Sequence, residues 1–187
     1  MSADKKLARF DALIMPHLDA AYNLARWLTR NPHDADDVVQ EACTRAYASF
    51  DSFRAINAKA WLLTIVRNSF LKQIEKQKRG GEIVHLDVEQ TTLGDHDNNH
   101  AYDRHNDNPE VIAMRQYEAE QIHKGIMALT DEYREIIILR EIEGFTYHEI
   151  ADITGTPVGT VMSRLSRARQ KLQQKLTGIK RSREKTQ

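Results

Sequence analysis

Between Gly80 and Pro109 the chain changes character, and that change limits what the rest of it can become. The segment holds seven acids, four histidines and one arginine, Arg104, with few apolar residues and no sustained period. A stretch of this kind buries too little surface to offset the entropy of ordering it. It therefore divides the chain into two blocks that must each supply a core. On both sides apolar residues recur at steps of three and four, which marks amphipathic helices. The pattern predicts an all-α protein. Two small helical domains, 1–79 and 110–180, are joined by an extended acidic linker, 80–109, and followed by a basic tail, 181–187.

In the first block Phe10, Leu13, Ile14, Leu18, Ala21, Tyr22, Ala25 and Leu28 form one helical stripe, and Pro16 marks a kink or break in it. Asn31-Pro32 reads as a stop and restart, with Asp34, Asp36 and Asp37 near the new N-terminus, where the helix dipole favours acids. Val38, Val39, Ala42, Cys43, Ala46, Tyr47 and Phe50 make the buried face of that helix. Asp37 and Glu41, four apart with Gln40 beside them, make an acidic, hydrogen-bonding strip on the opposite side. A loop from Asp51 to Asn57 leads to a helix containing Trp61, Leu62, Ile65, Val66 and Phe70. That helix ends in Lys72, Lys76, Lys78, Arg79 and the breaker Gly80-Gly81.

In the second block Thr130-Asp131-Glu132 starts a helix that Gly144 ends. Thr146 then caps a short helix and Glu149 completes a capping box. Gly155 suits a left-handed C′ position, and Thr156 is expected to cap the last helix, with Pro157 in its first turn. A short helix, a tight glycine-containing turn and a longer helix make a helix-turn-helix, whose second helix enters the major groove of DNA. In that second helix Val158, Val161, Leu165, Ala168, Leu172 and Leu176 form the apolar stripe. Thr160, Ser163, Arg164, Arg167 and Lys171 form the polar one, flanked by Met162 and Ser166. Arginine bridges two acceptors on a guanine edge or grips phosphate, and serine and threonine bond bases or backbone. From Val158 to the end, nine Lys/Arg face one acid, Glu184.

Charge balance over all 187 residues is zero, with 27 basic and 27 acidic residues, so only its distribution is informative. The single cysteine, Cys43, excludes an intramolecular disulfide. No stretch reads as a signal peptide or membrane span, which leads to the expectation of a soluble, cytoplasmic protein. No nucleophile–base pair or phosphate-binding loop is evident, so no enzyme and no cofactor is expected.

Both blocks resemble one family. DADDVVQEACTRAYASFDSF (34–53) resembles region 2, and LTDEYREIIILREIEGFTYHEIADITGTPVGTVMSRLSRARQKL (129–172) resembles region 4, of sigma factors of bacterial RNA polymerase. The absence of a region 3 matches the extracytoplasmic-function (ECF) group of the sigma-70 family. The resemblance implies transcription initiation: binding to core RNA polymerase, recognition of −10 and −35 promoter elements, and action as one chain. It implies that Asp37, Gln40 and Glu41 contact core polymerase. It implies that Asn68 faces a flipped −10 base, that the loop Arg54–Asn57 forms that base's pocket, and that Trp61, Arg67, Lys72, Lys76 and Arg79 belong to the −10 surface. It places Thr160, Met162, Ser163, Arg164, Ser166, Arg167 and Lys171 at the −35 element. It also implies control by an anti-sigma factor.

Two rival readings are open at this stage. A DNA-binding regulator acting without polymerase leaves the 34–53 string unexplained. The linker's Asp95, His96, Asp97, His100, Asp103, His105 and Asp107 are of metal-ligating types, but no regular element fixes their geometry, so an acidic solvated tether is the expected reading and no metal is assigned.

Overall fold

In a computed structural model, residues 3–54, 57–79 and 108–184 are described. Linker residues 80–107, including the histidine and aspartate group, lie outside the described residues, as does the end of the basic tail. Every regular element among the described residues is helical.

Helix α1 (Ala3–Ile14) passes through a short 3-10 turn at Met15–His17, where Pro16 sits, into α2 (Leu18–Thr29). Arg30 then adopts φ 62°, a left-handed cap that breaks the helix. Asn31 restarts the chain as N-cap of α3 (Pro32–Ser49), its side chain accepting from the amides of His33 and Asp34. A 3-10 turn at Phe50–Ser52 leads towards α4 (Ala58–Arg79). Asn57 caps α4: its Oδ1 accepts from Ala60 N at 3.0 Å. Helices α2, α3 and α4 bury Ala21, Leu24, Leu28, Val38, Ala42, Leu62, Leu63 and Val66 among themselves. Aromatic rings close the end of this bundle, with Phe10 edge-on to Tyr47 and Phe50 and Phe53 tilted against Trp61 at 4.8 Å.

The second lobe comprises α5 (Pro109–Met127), α6 (Asp131–Ile137), which runs on through one π turn at Ile138–Ile142, α7 (Tyr147–Thr154) and the long α8 (Val158–Glu184). Ile136–Leu139, Ile150, Ile153, Val161, Leu165 and Ala168 are its core. Helix α5 crosses α8 closely at Gly125, where a Cβ would lie 2.7 Å from Leu172 Cδ1.

The two lobes pack against each other, α2 on α6 and α4 on α7, and the buried residues join into a single core cluster. The sequence pattern anticipates separate cores and not this contact.

Candidate nucleic-acid interface

The helix-turn-helix geometry is built locally. Thr146 Oγ1 accepts from Glu149 N at 3.3 Å, while Glu149 Oε2 accepts from Thr146 N at 2.9 Å, completing the capping box. These bonds to Thr146 hold the Glu149 carboxyl below the usual carboxylate range. Gly155 takes φ +64°, the left-handed conformation that turns the chain after α7. The entry to α8 differs from the sequence expectation by one residue. Pro157, not Thr156, is the cap, its carbonyl accepting from Thr160 N and Val161 N. The Thr156 hydroxyl is 2.8 Å from that of Thr154 instead.

The outward face of α8 is narrower than the polar stripe read from sequence. Met162, Ser163, Ser166 and Arg167 are exposed, Met162 at 53%. Thr160 is half-buried, and its carbonyl accepts from the Ser163 hydroxyl at 3.0 Å. Arg164 is turned inward to Glu132 at 3.0 Å, and the Lys171 ammonium sits over the Tyr133 ring. These three residues lie about 100° around the helix from the exposed row, on the side where Arg164 and the still exposed Lys171 meet Glu132 and Tyr133 of α6. Gln170 and Gly159 share the exposed row and escaped the sequence reading. Stepping at 100° from Val161 would have found both.

On the first lobe, Asp37, Gln40 and Glu41 are all exposed on α3, opposite buried Val38 and Ala42. Glu41 is paired with Arg45 one turn later, at 2.5 Å. Along α4, Trp61, Asn68, Lys72, Lys76 and Arg79 share one side. Asn68 and the three cations are open to solvent, while Trp61 is half-buried against Phe53. Arg54 is exposed and donates to the carbonyls of Asp51 and Phe53.

Arg67 and Asn57 are elsewhere. Arg67 Nε meets Glu135 of the second lobe at 2.6 Å, and Asn57 Nδ2 donates to Glu149 Oε1 at 2.7 Å. Burial pushes the Glu135 carboxyl up, and the Arg67 charge pulls it part of the way back. Lys59, which no sequence pattern singles out, binds the Glu143 carboxylate at 2.8 Å. Among the described residues no group of His, Cys, Asp and Glu could hold a metal ion, and no helix is long and apolar enough to cross a membrane.

Comparison with known proteins identifies the family of the chain. Residues 13–80 match the family description "Sigma-70 region 2", and residues 119–172 match "Sigma-70, region 4". The chain is 32% identical over 172 residues to the ECF RNA polymerase sigma factor SigW of Bacillus subtilis, covering 91% of this chain and 90% of the relative. It is 35% identical over 157 residues to the ECF RNA polymerase sigma-E factor of Haemophilus influenzae, covering 82% and 79%. Against ECF sigma factor SigE of Mycolicibacterium smegmatis the identity is 32% over 87% of this chain, which spans 60% of that longer relative. Among solved structures, the sigma factor RpoE from Bartonella quintana, in complex with the anti-sigma factor NepR, superposes with TM-score 0.66 at 30% identity over 90% of this chain and 97% of that one. CnrH, in complex with the cytosolic domain of CnrY, shares the fold at TM-score 0.60 and 24% identity, over 92% and 90% of the two chains. With its region 2 and region 4 lobes in that order, this chain belongs to the ECF group of the sigma-70 family of RNA polymerase sigma factors.

Proposed function

We propose that the chain directs core RNA polymerase to specific promoters by dividing recognition between its two lobes. The observation that carries this reading is the outward row Met162, Ser163, Ser166 and Arg167 on α8, held by the capping box and the Gly155 turn. Such a row, presented by the second helix of a helix-turn-helix, fits the major groove of the −35 element. Arg167 is the residue able to bridge two acceptors on a base edge, and Ser163 and Ser166 bond bases or phosphates.

Region 2 supplies the other half. Asn68 offers both a donor and an acceptor to an unstacked −10 base, and Lys72, Lys76 and Arg79 lie along the same side of α4 to follow the phosphates. Asp37, Gln40 and Glu41 form the core-polymerase contact. The paired Arg45 offsets part of the Glu41 charge, which leaves Asp37 as the less compensated acid of the strip. The chain acts as one copy, in the cytoplasm with polymerase, without catalysing covalent chemistry. The structural relative RpoE of Bartonella quintana is found in complex with an anti-sigma factor, and a similar partner controls this chain.

Run-off transcription with core polymerase on genomic fragments, followed by mapping of start sites, tests the proposal. Specific starts with shared upstream elements are expected. Failure of the chain to bind core polymerase would overturn it in favour of a polymerase-independent regulator.

A further inference from the structure

The first two turns of α8 present one large side chain to solvent. From Val158 to Leu165 the exposed residues are Gly159, Met162 and Ser163. Met162 projects between small neighbours on the same side of the helix. Gly159, one turn earlier, has nothing within 4 Å of where its Cβ would be, and Ser166, one turn later, is short. Val161 and Leu165, at most 1% exposed, complete the core beneath, so the lobe packs without the Met162 side chain.

The polar groups beside Met162 are engaged within the protein. The Ser163 hydroxyl donates to the Thr160 carbonyl at 3.0 Å, and Arg164 pairs with Glu132 at 3.0 Å. Arg167, the exposed cation of the row, comes five residues later, about 7.5 Å further along the axis at about 1.5 Å per residue. The entering end of a recognition helix is the part that meets base edges. Here that end offers a thioether, which has no hydrogen-bond donor and is a weak acceptor. Such a group bonds neither phosphate nor the N7 and O6 acceptors of guanine. The apolar group that base edges display in the major groove is the C5 methyl of thymine. An unbranched, polarizable side chain adapts well to a small apolar target of that kind.

We propose that Met162 is a specificity-determining residue that packs on a thymine C5 methyl group within the −35 element. The inference rests on the promoter-reading function above and names the base feature that this position selects. Contact removes the methyl group and the end of the methionine side chain from water, and this favours thymine over the other bases at one position. A lone apolar side chain set among Ser163, Ser166 and Arg167 is too small a patch to dock a protein partner, whereas the polar row around it suits DNA.

The test uses the full chain with core polymerase on a promoter whose start site has been mapped. Each thymine of the −35 element is replaced in turn by uracil, which keeps the pairing edge and the O4 acceptor but lacks the C5 methyl. Affinity is read by competition against the unsubstituted promoter. The expected result is a loss of about fourfold at one position, the ratio that corresponds to burial of one methyl-sized group. Met162→Ala should bind the thymine and uracil forms equally, and Met162→Leu should keep most of the preference. Alanine is a strong helix former and the site is exposed, so an unaltered helical spectrum is expected of both variants. The proposal is overturned if the element contains no thymine, if no uracil replacement weakens binding, or if Met162→Ala keeps the full preference. If Met162→Ala leaves every promoter affinity unchanged, the exposed thioether serves a protein contact and the proposal fails. Absence of −35-dependent binding to the unsubstituted promoter would instead count against the promoter-reading function itself.

Discussion

The Arg67–Glu135 pair offers the most direct measure of whether the lobes are joined in solution. Its side chains are only 18% and 10% exposed, and the pair joins one lobe to the other. Two unit charges about 4 Å apart attract by roughly 4 kcal/mol at an effective dielectric of 20, and desolvation cancels part of this. A charged hydrogen bond of this kind contributes about 1.5–3 kcal/mol. That is the coupling energy expected from a double-mutant cycle of Arg67→Ala, Glu135→Ala and the double variant. For a chain of this size each kcal/mol moves the midpoint of thermal unfolding by roughly 2–4 °C. Urea or thermal unfolding followed by circular dichroism reads all four proteins. A buried pair is weakly screened, so the coupling should persist at raised salt. A coupling below about 0.5 kcal/mol would mean that the two groups are solvated. The packing of the lobes against each other would then be wrong.

Other expectations are independent of the seam. Thr146→Ala removes the acceptor for Glu149 N and should cost about 1 kcal/mol of stability, read by thermal melting. The Glu149 carboxyl is held below its ordinary range, so its contribution is complete above that range and is lost as pH falls through the lowered value. Glu149→Gln, which removes the titrating group, should therefore flatten the acid limb of the stability–pH curve, and an unchanged limb would argue against the capping box as its source. Arg167→Ala should weaken −35-dependent binding by about 1–3 kcal/mol and relax selectivity at one position, measured by titration against substituted promoters. Glu41→Lys should abolish core-polymerase capture with an unaltered helical spectrum; retained capture would remove this residue from the interface.

Much of the local architecture was readable before any coordinates. The restart at Asn31-Pro32, the break at Pro16, the Thr146–Glu149 box and the left-handed Gly155 are all decided by residues within a turn of one another, so their chemistry appears in the string itself. The buried stripes of α3 and α8 were readable for a similar reason, since a 3.6-residue period maps linear spacing onto a face. Helix α8 starts one residue later than the capping propensity of Thr156 suggests, and the Thr156 hydroxyl instead meets that of Thr154.

The roles of Arg67, Asn57, Arg164 and Lys59 could not be read in this way. Each is a polar residue on a helix flank or at a helix start, and nothing local distinguishes a side chain awaiting phosphate from one already matched to a carboxylate. Their partners Glu135, Glu149, Glu132 and Glu143 lie far along the chain, or, for Arg164, on a neighbouring helix. Periodicity says which side of a helix faces a core, but it is silent on which other element completes that core. Two helical blocks, a helix-turn-helix and a basic outer row follow from short-range rules of capping, turns and amphipathic spacing. The closed seam, and the inward turn of residues that otherwise look ready for DNA, come from long-range packing, where burial and charge matching between distant segments settle each side chain's partner.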